Sequence, residues 1–358
     1  MKPIYKITLF LLLIPAIIFA NDDKKHEKSK TIKKEFSINS DGKVSINNRY
    51  GKINVTTWSK NRVEFEIQIT VKGNDLDDVI EKLSSIDVDF NSSSNLVEAE
   101  TLIEKRKSNW SWWGKSSNVN YEINYIVKMP QSNDIDLNND YGGIYLDKID
   151  GKATINCDYG RITIGSLNNN DNNINLDYCS TSTISYMKNG EINADYSKLS
   201  VDKSGDIKLN ADYSTCNFGE LNGLDFNTDY GSISVDDVKN VYGNTDYTGM
   251  RFGTVRKNLK VDTDYGSISI DNLANDFENV EISSQYAGIK IGTSSSNNFK
   301  FEIDLQFGSF RKDRDNVEIF KSIEKSTKKY YEGVFGKGNS SSKVKIRSQY
   351  GSVTFKNN

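Results

Sequence analysis

The chain has 358 residues, of which 36% are hydrophobic, and a formal net charge of -3. This charge carries no basic signature, so we expect no nucleic-acid partner. The single histidine, His26, precedes the patterned region, which excludes a Ser-His or Cys-His catalytic system there.

Residues 1–20 predict a secretory signal peptide. Lys2 gives a positive start, Ile7 to Phe19 are almost wholly apolar, and Ala20 is a small residue at the cleavage point. The apolar stretch is too short for a membrane span, so no transmembrane segment is expected after cleavage. We therefore expect export to the periplasm, the cell surface or the medium. Residues 21–35 mix charges without an apolar period and predict a solvated linker.

Residues 36–130 predict a β-rich N-terminal region with alternating apolar positions. Within it, residues 75–83 carry one apolar helical face, and Asn74 is placed to cap that helix. A hairpin loop later in the region contains Trp110, Trp112 and Trp113. Two interpretations stay open for this loop: a tip folded over the end of the core, or a contact for a sugar or a membrane interface.

From residue 131 to residue 310 a tyrosine motif recurs at steps of 17 to 19 residues, a structural period. The tyrosines of this regular part are Tyr141, Tyr159, Tyr178, Tyr196, Tyr213, Tyr230, Tyr247 and Tyr265. Apolar residues alternate on both sides of each tyrosine, which predicts two short strands per repeat. Glycines after several of the tyrosines are expected to supply the positive φ of a corner.

The predicted fold is all-β, a single-stranded parallel β-solenoid of about 17–21 residues per coil. No helical period separates the strands, which excludes an α/β fold. Parallel crossovers are right-handed, so a right-handed β-helix is expected. The register of the alternation predicts that the tyrosines stack inward, in the core.

Each tyrosine follows an aspartate, and these form a predicted acidic row: Asp140, Asp158, Asp177, Asp195, Asp212, Asp229, Asp246 and Asp264. Stacked carboxylates about 4.8 Å apart repel each other and need compensation. Capping of the following turn is favoured over bridging calcium, because no calcium-binding loop is present. A pair of carboxylates acting as a glycosidase is a further alternative.

Residues 311–342 form a charged insertion with a weak helical run at Val317, Phe320 and Ile323, and residues 343–358 form a final coil. Lys328, Lys329, Tyr330 and Tyr331 interrupt the repeat there, so with the tryptophan loop they are candidate ligand contacts. Cys157, Cys179 and Cys216 occupy different places in their repeats, which favours three separate buried thiols over a disulfide.

The repeated Tyr-Gly corner and the Y-I-V-K-M-P passage at 125–130, which leads into N-N-D-Y-G-G-I-Y-L, resemble the bacterial putative-adhesin family of β-strand repeat proteins, a family of unknown function. The resemblance covers about residues 36–357 and implies a β-helical envelope protein without catalytic residues. We expect an exported, non-enzymatic protein that needs no cofactor and contacts an envelope glycan or a surface protein. The alternatives are a polysaccharide-degrading β-helix enzyme and a purely structural spacer.

Overall fold

The structure is a computed structural model that describes residues 25–104, 118–312, 316–338 and 340–357. The chain divides into two compact units, Met1–Asn169 (unit 1) and Asn170–Asn358 (unit 2). Strands dominate both units, and the described residues contain a single helix. The all-β prediction is therefore confirmed.

Unit 1 contains eleven strands and the helix. Their bounds are β1 His26–Ser37, β2 Lys43–Arg49, β3 Ile53–Trp58, β4 Arg62–Gly73, α1 Leu76–Ser84, β5 Ile86–Ser92, β6 Leu96–Ile103, β7 Asn120–Pro130, β8 Asp134–Asp140, β9 Gly143–Ile149, β10 Ala153–Asp158 and β11 Arg161–Leu167. Two parallel sets run side by side, β6-β2-β8-β10 and β7-β3-β9-β11. The antiparallel order β1-β4-β7 continues the second set.

Strand β1 lies where the sequence predicted a linker. It pairs with β4 over its whole length, from His26 with Gly73 to Ser37 with Arg62. No residue of β1 is fully buried, so its side chains carry no apolar alternation that the sequence could display. The linker prediction is therefore wrong from residue 26 onward, because backbone pairing and not side-chain burial orders this strand.

Helix α1 lies where the sequence places it, but its cap differs by one residue. The side chain of Asp75, not Asn74, accepts hydrogen bonds from the backbone N–H groups of Asp77 and Asp78. An aspartate at this position also favours the positive end of the helix dipole. Val79 is the buried residue by which the helix packs on unit 1.

Unit 2 contains fourteen strands. Their bounds are β12 Asn172–Asp177, β13 Ser182–Met187, β14 Gly190–Asp195, β15 Lys198–Asp212, β16 Thr215–Asp229, β17 Ser232–Asp246, β18 Thr248–Leu273, β19 Asn279–Thr293, β20 Phe299–Gln306, β21 Ser309–Arg311, β22 Val317–Glu324, β23 Lys328–Phe335, β24 Lys343–Gln349 and β25 Ser352–Asn357. Strands β14 to β19 pair in parallel in sequence order, each residue next to its equivalent in the following repeat.

The order of strands in unit 2 departs from the order of the sequence after β19. Strand β24 pairs in parallel with β19 on one side and with β20 on the other, so it lies between them. Strand β25 pairs with both β19 and β21. Segment 343–357 is thus inserted between two repeats that precede it in the sequence.

The charged insertion is a β-hairpin and not the predicted helical run. Strands β22 and β23 pair antiparallel, and β23 pairs antiparallel with β20. Val317 is buried, whereas Phe320 and Ile323 are exposed. The three residues whose spacing resembled a helical face therefore do not lie on one buried face. The pairing of β22 shifts register between Ile319 and Lys321, which leaves Phe320 in an irregular position.

The core of unit 2 is made of ladders of equivalent residues from successive repeats. Ile207, Leu224 and Val241 are buried and adjacent across parallel pairs. A neighbouring inward position holds small residues, with the hydroxyl of Thr228 donating to that of Thr245 at 3.2 Å. In each strand every second side chain points into the core. A chain with few apolar residues can therefore still have a continuous core.

Candidate interaction surface

A column of stacked aromatic rings runs along unit 2. Tyr178 and Tyr196 are 4.9 Å apart between ring centroids, with 5° between their planes. The same stacking, at 4.5 to 5.0 Å, joins the later rings. In spatial order the aromatic column consists of Tyr178, Tyr196, Tyr213, Tyr230, Tyr247, Tyr265, Tyr286, Tyr350 and Phe307.

The aromatic column lies on the surface, so the predicted core position of the tyrosines is wrong. The exposed fractions of the eight tyrosines of the predicted repeats, in both units, range from 37% at Tyr265 to 53% at Tyr159. Nearly all of these tyrosines have a φ between 50° and 59°, in the left-handed region. That conformation turns the side chain outward and breaks the alternation of the preceding strand. The sequence prediction continued the strand alternation through the tyrosine, and it therefore placed the tyrosine side chain on the wrong face of the strand.

The residue after the tyrosine takes the inward place at the corner. Ser197 and Ser214 are buried there, and their hydroxyls donate to backbone carbonyls of Asp195 and Asp212 at 2.7 and 2.9 Å. The predicted role of the corner glycines is also corrected, because in most repeats the tyrosine itself has the positive φ. Among the described corners only Gly266 combines this position with a positive φ of its own.

Stacking in the aromatic column raises the pKa of two of its tyrosines. Desolvation by the stacked neighbours raises the pKa of Tyr196, and the nearby tyrosines and the carboxylates of Asp195 and Asp212 raise it further. The pKa of Tyr247 is raised by the same causes. The hydroxyls of Tyr196 and Tyr247 therefore stay protonated at neutral pH and can donate hydrogen bonds.

Each aspartate of the acidic row directly precedes a tyrosine of the aromatic column, and carboxylates of the row accept hydrogen bonds from the next repeat. The backbone N–H of Asp212 donates to Asp195 Oδ1 at 3.2 Å, and those of Asp229 and Asp246 donate to the preceding aspartates at 3.1 Å. The sequence predicted acceptance from the turn that follows each aspartate. The acceptors are carboxylates as predicted, but the donor is the equivalent residue of the next repeat. The described residues contain no group of three or more His, Cys, Asp or Glu side chains arranged for a metal ion.

This arrangement predicts that the carboxylate oxygen matters more than its charge. Asp212→Asn keeps an acceptor for the N–H of Asp229 and relieves repulsion from its neighbours, so unfolding free energy should change by less than about 0.5 kcal/mol. Asp212→Ala should lose about 1 kcal/mol. Urea denaturation measures both, with Asp225→Ala, on the exposed face of β16, as the control. A large rise in melting temperature with calcium that Asp212→Asn abolishes would contradict this role.

Unit 1 has its own short aromatic column. Tyr50 stacks on Tyr141 at 5.3 Å, and Tyr141 stacks on Tyr159 at 5.1 Å. On its other side Tyr50 meets the edge of Tyr121 at 5.0 Å, with 70° between the planes. Here the row position before Tyr50 is Arg49, whose guanidinium lies 3.5 Å from the carboxylate of Asp140. The acidic row of unit 1 thus begins with a compensating cation.

The structure describes only the second group of residues predicted as ligand contacts. Trp110, Trp112 and Trp113 lie outside the described residues. Lys328 to Tyr331 alternate between the two faces of β23. Tyr331 is buried and donates to Glu324 at 2.9 Å, while Lys328 is exposed. The sequence did not identify the outward face of the column, although the small residue after every tyrosine was a signal for it.

The remaining predicted groups are structural. Cys157, Cys179 and Cys216 are buried and belong to no disulfide in the described residues, as the sequence predicted. Burial raises the pKa of Cys216 to about 12, so it stays a thiol and a poor nucleophile. His26 lies at the start of β1. Of the helices in the described ranges, none has the length and apolar character needed to cross a membrane.

Several solved structures are similar to this chain. A putative cell adhesion protein from Clostridium sporogenes is 16% identical, with 92% of this chain and 100% of that chain covered and a TM-score of 0.18. A putative adhesin from Parabacteroides distasonis is 11% identical, with 76% and 95% covered and a TM-score of 0.31. A putative lipid binding protein from the same organism is 11% identical, with 91% and 96% covered and a TM-score of 0.25. The adhesin descriptions agree with the family that the sequence resembles.

No family model matches the chain, and no curated protein matches it either.

Proposed function

We propose that the protein is an exported, non-enzymatic, right-handed parallel β-solenoid that acts as an adhesin-type interaction protein of the cell envelope. The observation that carries the proposal is the aromatic column on the outside of unit 2. Tyrosines that are exposed by about half and stacked in a regular row are typical of contact surfaces and not of a core. Signal-peptide cleavage would deliver this surface to the periplasm, the cell surface or the medium.

The acidic row supports a binding role over an enzymatic one. Asp212 and Asp229 have the same hydrogen-bond environment, each accepting from the next aspartate of the row. A catalytic pair requires two carboxylates whose environments differ, so that one holds a proton and the other does not. A uniform row instead repeats one contact along the column. The partner is an envelope glycan or a surface protein, and Trp110, Trp112 and Trp113 are proposed to add contacts to it.

Removal of three rings from the aromatic column tests this function. Asparagine tolerates the left-handed region and is polar, so the triple variant Tyr213→Asn, Tyr230→Asn and Tyr247→Asn should stay folded. We expect the binding of the purified protein to envelopes of the native host, measured by cosedimentation, to fall at least tenfold. Circular dichroism should remain that of a β protein.

Tyr242→Asn is the matched control, because Tyr242 is exposed to 50% but stands outside the aromatic column. Its binding should equal that of the unaltered protein. Equal binding by the triple variant, or no cosedimentation of the unaltered protein, would contradict the proposal. The second result would leave the structural spacer as the better account.

A further inference from the structure

The last coil of unit 2, segment 343–357, is held by strands that are not its neighbours in sequence. Strand β24 pairs in parallel with β19 and with β20, and β25 pairs with β19 and β21. We call the space between β19 on one side and β20 and β21 on the other the acceptor gap. Each copy of the chain thus carries both an acceptor gap and a segment that fills it.

The first half of the segment is fitted to the acceptor gap by buried side chains. Ile346 is 1% exposed and lies between Ile282 of β19 and Ile303 of β20, so the three residues belong to one core ladder. Beside this ladder the hydroxyl of Ser284 donates to that of Ser348 at 3.0 Å, and both residues are buried. A strand in this place therefore has to offer an apolar residue and, two positions later, a small hydroxyl residue.

The second half of the segment is fitted to the acceptor gap by its Tyr-Gly corner. The ring of Tyr350 stacks between Tyr286 at 4.8 Å and Phe307 at 4.9 Å. A Cβ atom on Gly351 would lie 2.2 Å from the carbonyl oxygen of Ala287, so a side chain there would collide with the backbone of β19. The acceptor gap therefore matches the particular sequence of this segment.

The linker between hairpin β22-β23 and the segment is long for the distance that it covers. Its flanking residues, Phe335 and Lys343, lie beside Phe299 and Lys300 on opposite sides of β20. Two strand spacings separate them, which is about 10 Å. The linker, residues 336–342, reads G-K-G-N-S-S-S and would span about 25 Å when extended. A polar linker of this length allows the segment to reach beyond its own acceptor gap.

Exchange of the segment between two copies keeps every contact in the acceptor gap. Each segment fills the gap of the other copy with the same side chains and the same backbone hydrogen bonds. The free energies of the two forms therefore differ mainly in the linkers and in the association of two copies. The linker holds the copy's own segment at an effective concentration of roughly the millimolar range. Exchange is consequently favoured where copies are concentrated or where the linker is too short to close.

We propose that two copies of this protein join by exchanging their last coils, with segment 343–357 of each copy bound in the acceptor gap of the other. The partner is a second copy of the chain, because the gap is complementary to this segment. Tyr350 of one copy would then complete the aromatic column of the other. This contact is between copies, so it goes beyond the proposed function and does not involve the envelope partner.

Cysteines introduced into the full chain detect this exchange. Glu281 on β19 and Lys345 on β24 are adjacent in register and partly exposed, so cysteines at the two places form a disulfide when these strands lie side by side. A Glu281→Cys chain and a tagged Lys345→Cys chain are refolded together at high concentration under reducing conditions and then oxidised. We expect a disulfide-linked heterodimer on non-reducing gel electrophoresis.

The length of the linker provides the quantitative test. Deletion of residues 337–341 from both chains leaves two linker residues, which span about 10 Å and cannot also pass around the end of β20. A copy then cannot fill its own acceptor gap, so the heterodimer fraction should rise at least tenfold. Lys208→Cys with Asp225→Cys is the matched control, because these residues are adjacent on β15 and β16, outside the segment. This pair should give no heterodimer above background.

A peptide tests the acceptor gap without altering the linker. A synthetic peptide of residues 343–357 with Lys345→Cys, added in excess while the Glu281→Cys chain refolds, should become disulfide-linked to it. The same peptide with Ile346→Asp should be linked at least tenfold less, because its charge would be buried in the core ladder.

Absence of heterodimer from the folded deletion variants, or equal linking of the two peptides, would overturn the assignment. Where circular dichroism shows that the deletion variants do not fold, the two peptides decide. Purified protein is the only component of these measurements, so a failure here is distinguishable from a failure of envelope binding.

Discussion

Gly142→Ala should lower the free energy of unfolding of unit 1 by about 3 kcal/mol or more, the upper part of the range for overpacking. The Cβ atom of alanine would lie 1.7 Å from the carbonyl oxygen of Gly51 in the adjacent repeat. Because this neighbour is backbone and not a flexible side chain, relief requires moving one repeat relative to the next. Thermal and urea denaturation followed by circular dichroism would measure the loss.

Gly288→Ala is the control for this prediction. A Cβ atom on Gly288 meets nothing within 4 Å, so alanine there should leave stability unchanged or raise it slightly by restricting the unfolded chain. A loss below about 1 kcal/mol for Gly142→Ala would show that the two repeats separate at little cost.

At Tyr213, glycine should be a better replacement than alanine, the reverse of the usual preference in strands. Either change removes two ring contacts, with Tyr196 at 4.9 Å and Tyr230 at 5.0 Å, which costs about 1 to 3 kcal/mol. Alanine also keeps the cost of the left-handed conformation, since the φ of Tyr213 is 53°. Glycine removes that cost, so its variant should be more stable than the alanine variant by about 1 kcal/mol.

Tyr265 provides the matched control for this order. It stacks between Tyr247 and Tyr286 at 4.5 and 4.8 Å, but it is not one of the residues with positive φ. Alanine should therefore equal or exceed glycine at position 265. The same order of stability at both positions would show that backbone conformation does not explain the difference at Tyr213.

The sequence predicted the repeat but not the side on which its tyrosines lie. The period and the inward aliphatic residues were visible because strand alternation is regular between corners. At Tyr213 a single positive φ reverses the direction of the side chain. Tyrosine rarely adopts this conformation, so its presence in the sequence does not predict a positive φ. The small residues after the tyrosines, such as Ser214, were the available signal.

The other departures have a different cause. Strand β1 is ordered by backbone pairing to a neighbour that is distant in sequence, such as Gly73 for His26, and the hairpin β22-β23 is ordered by its own pairing and by that of β23 with β20. The side chains of β1 and β22 are largely exposed, so these two strands carry no buried period.

The position of β24 between β19 and β20 sets the order in which unit 2 is completed. Strand β20 can pair antiparallel with β23, but it has no parallel partner until residues 343–349 are available. The repeat at 299–311 therefore joins the preceding repeats only after those later residues are synthesised. Unit 2 is then completed by insertion of a segment between two existing strands, whereas other repeat proteins grow by the addition of repeats at one end. A nascent chain would therefore gain the last part of its stability in one late step, when segment 343–357 enters between them.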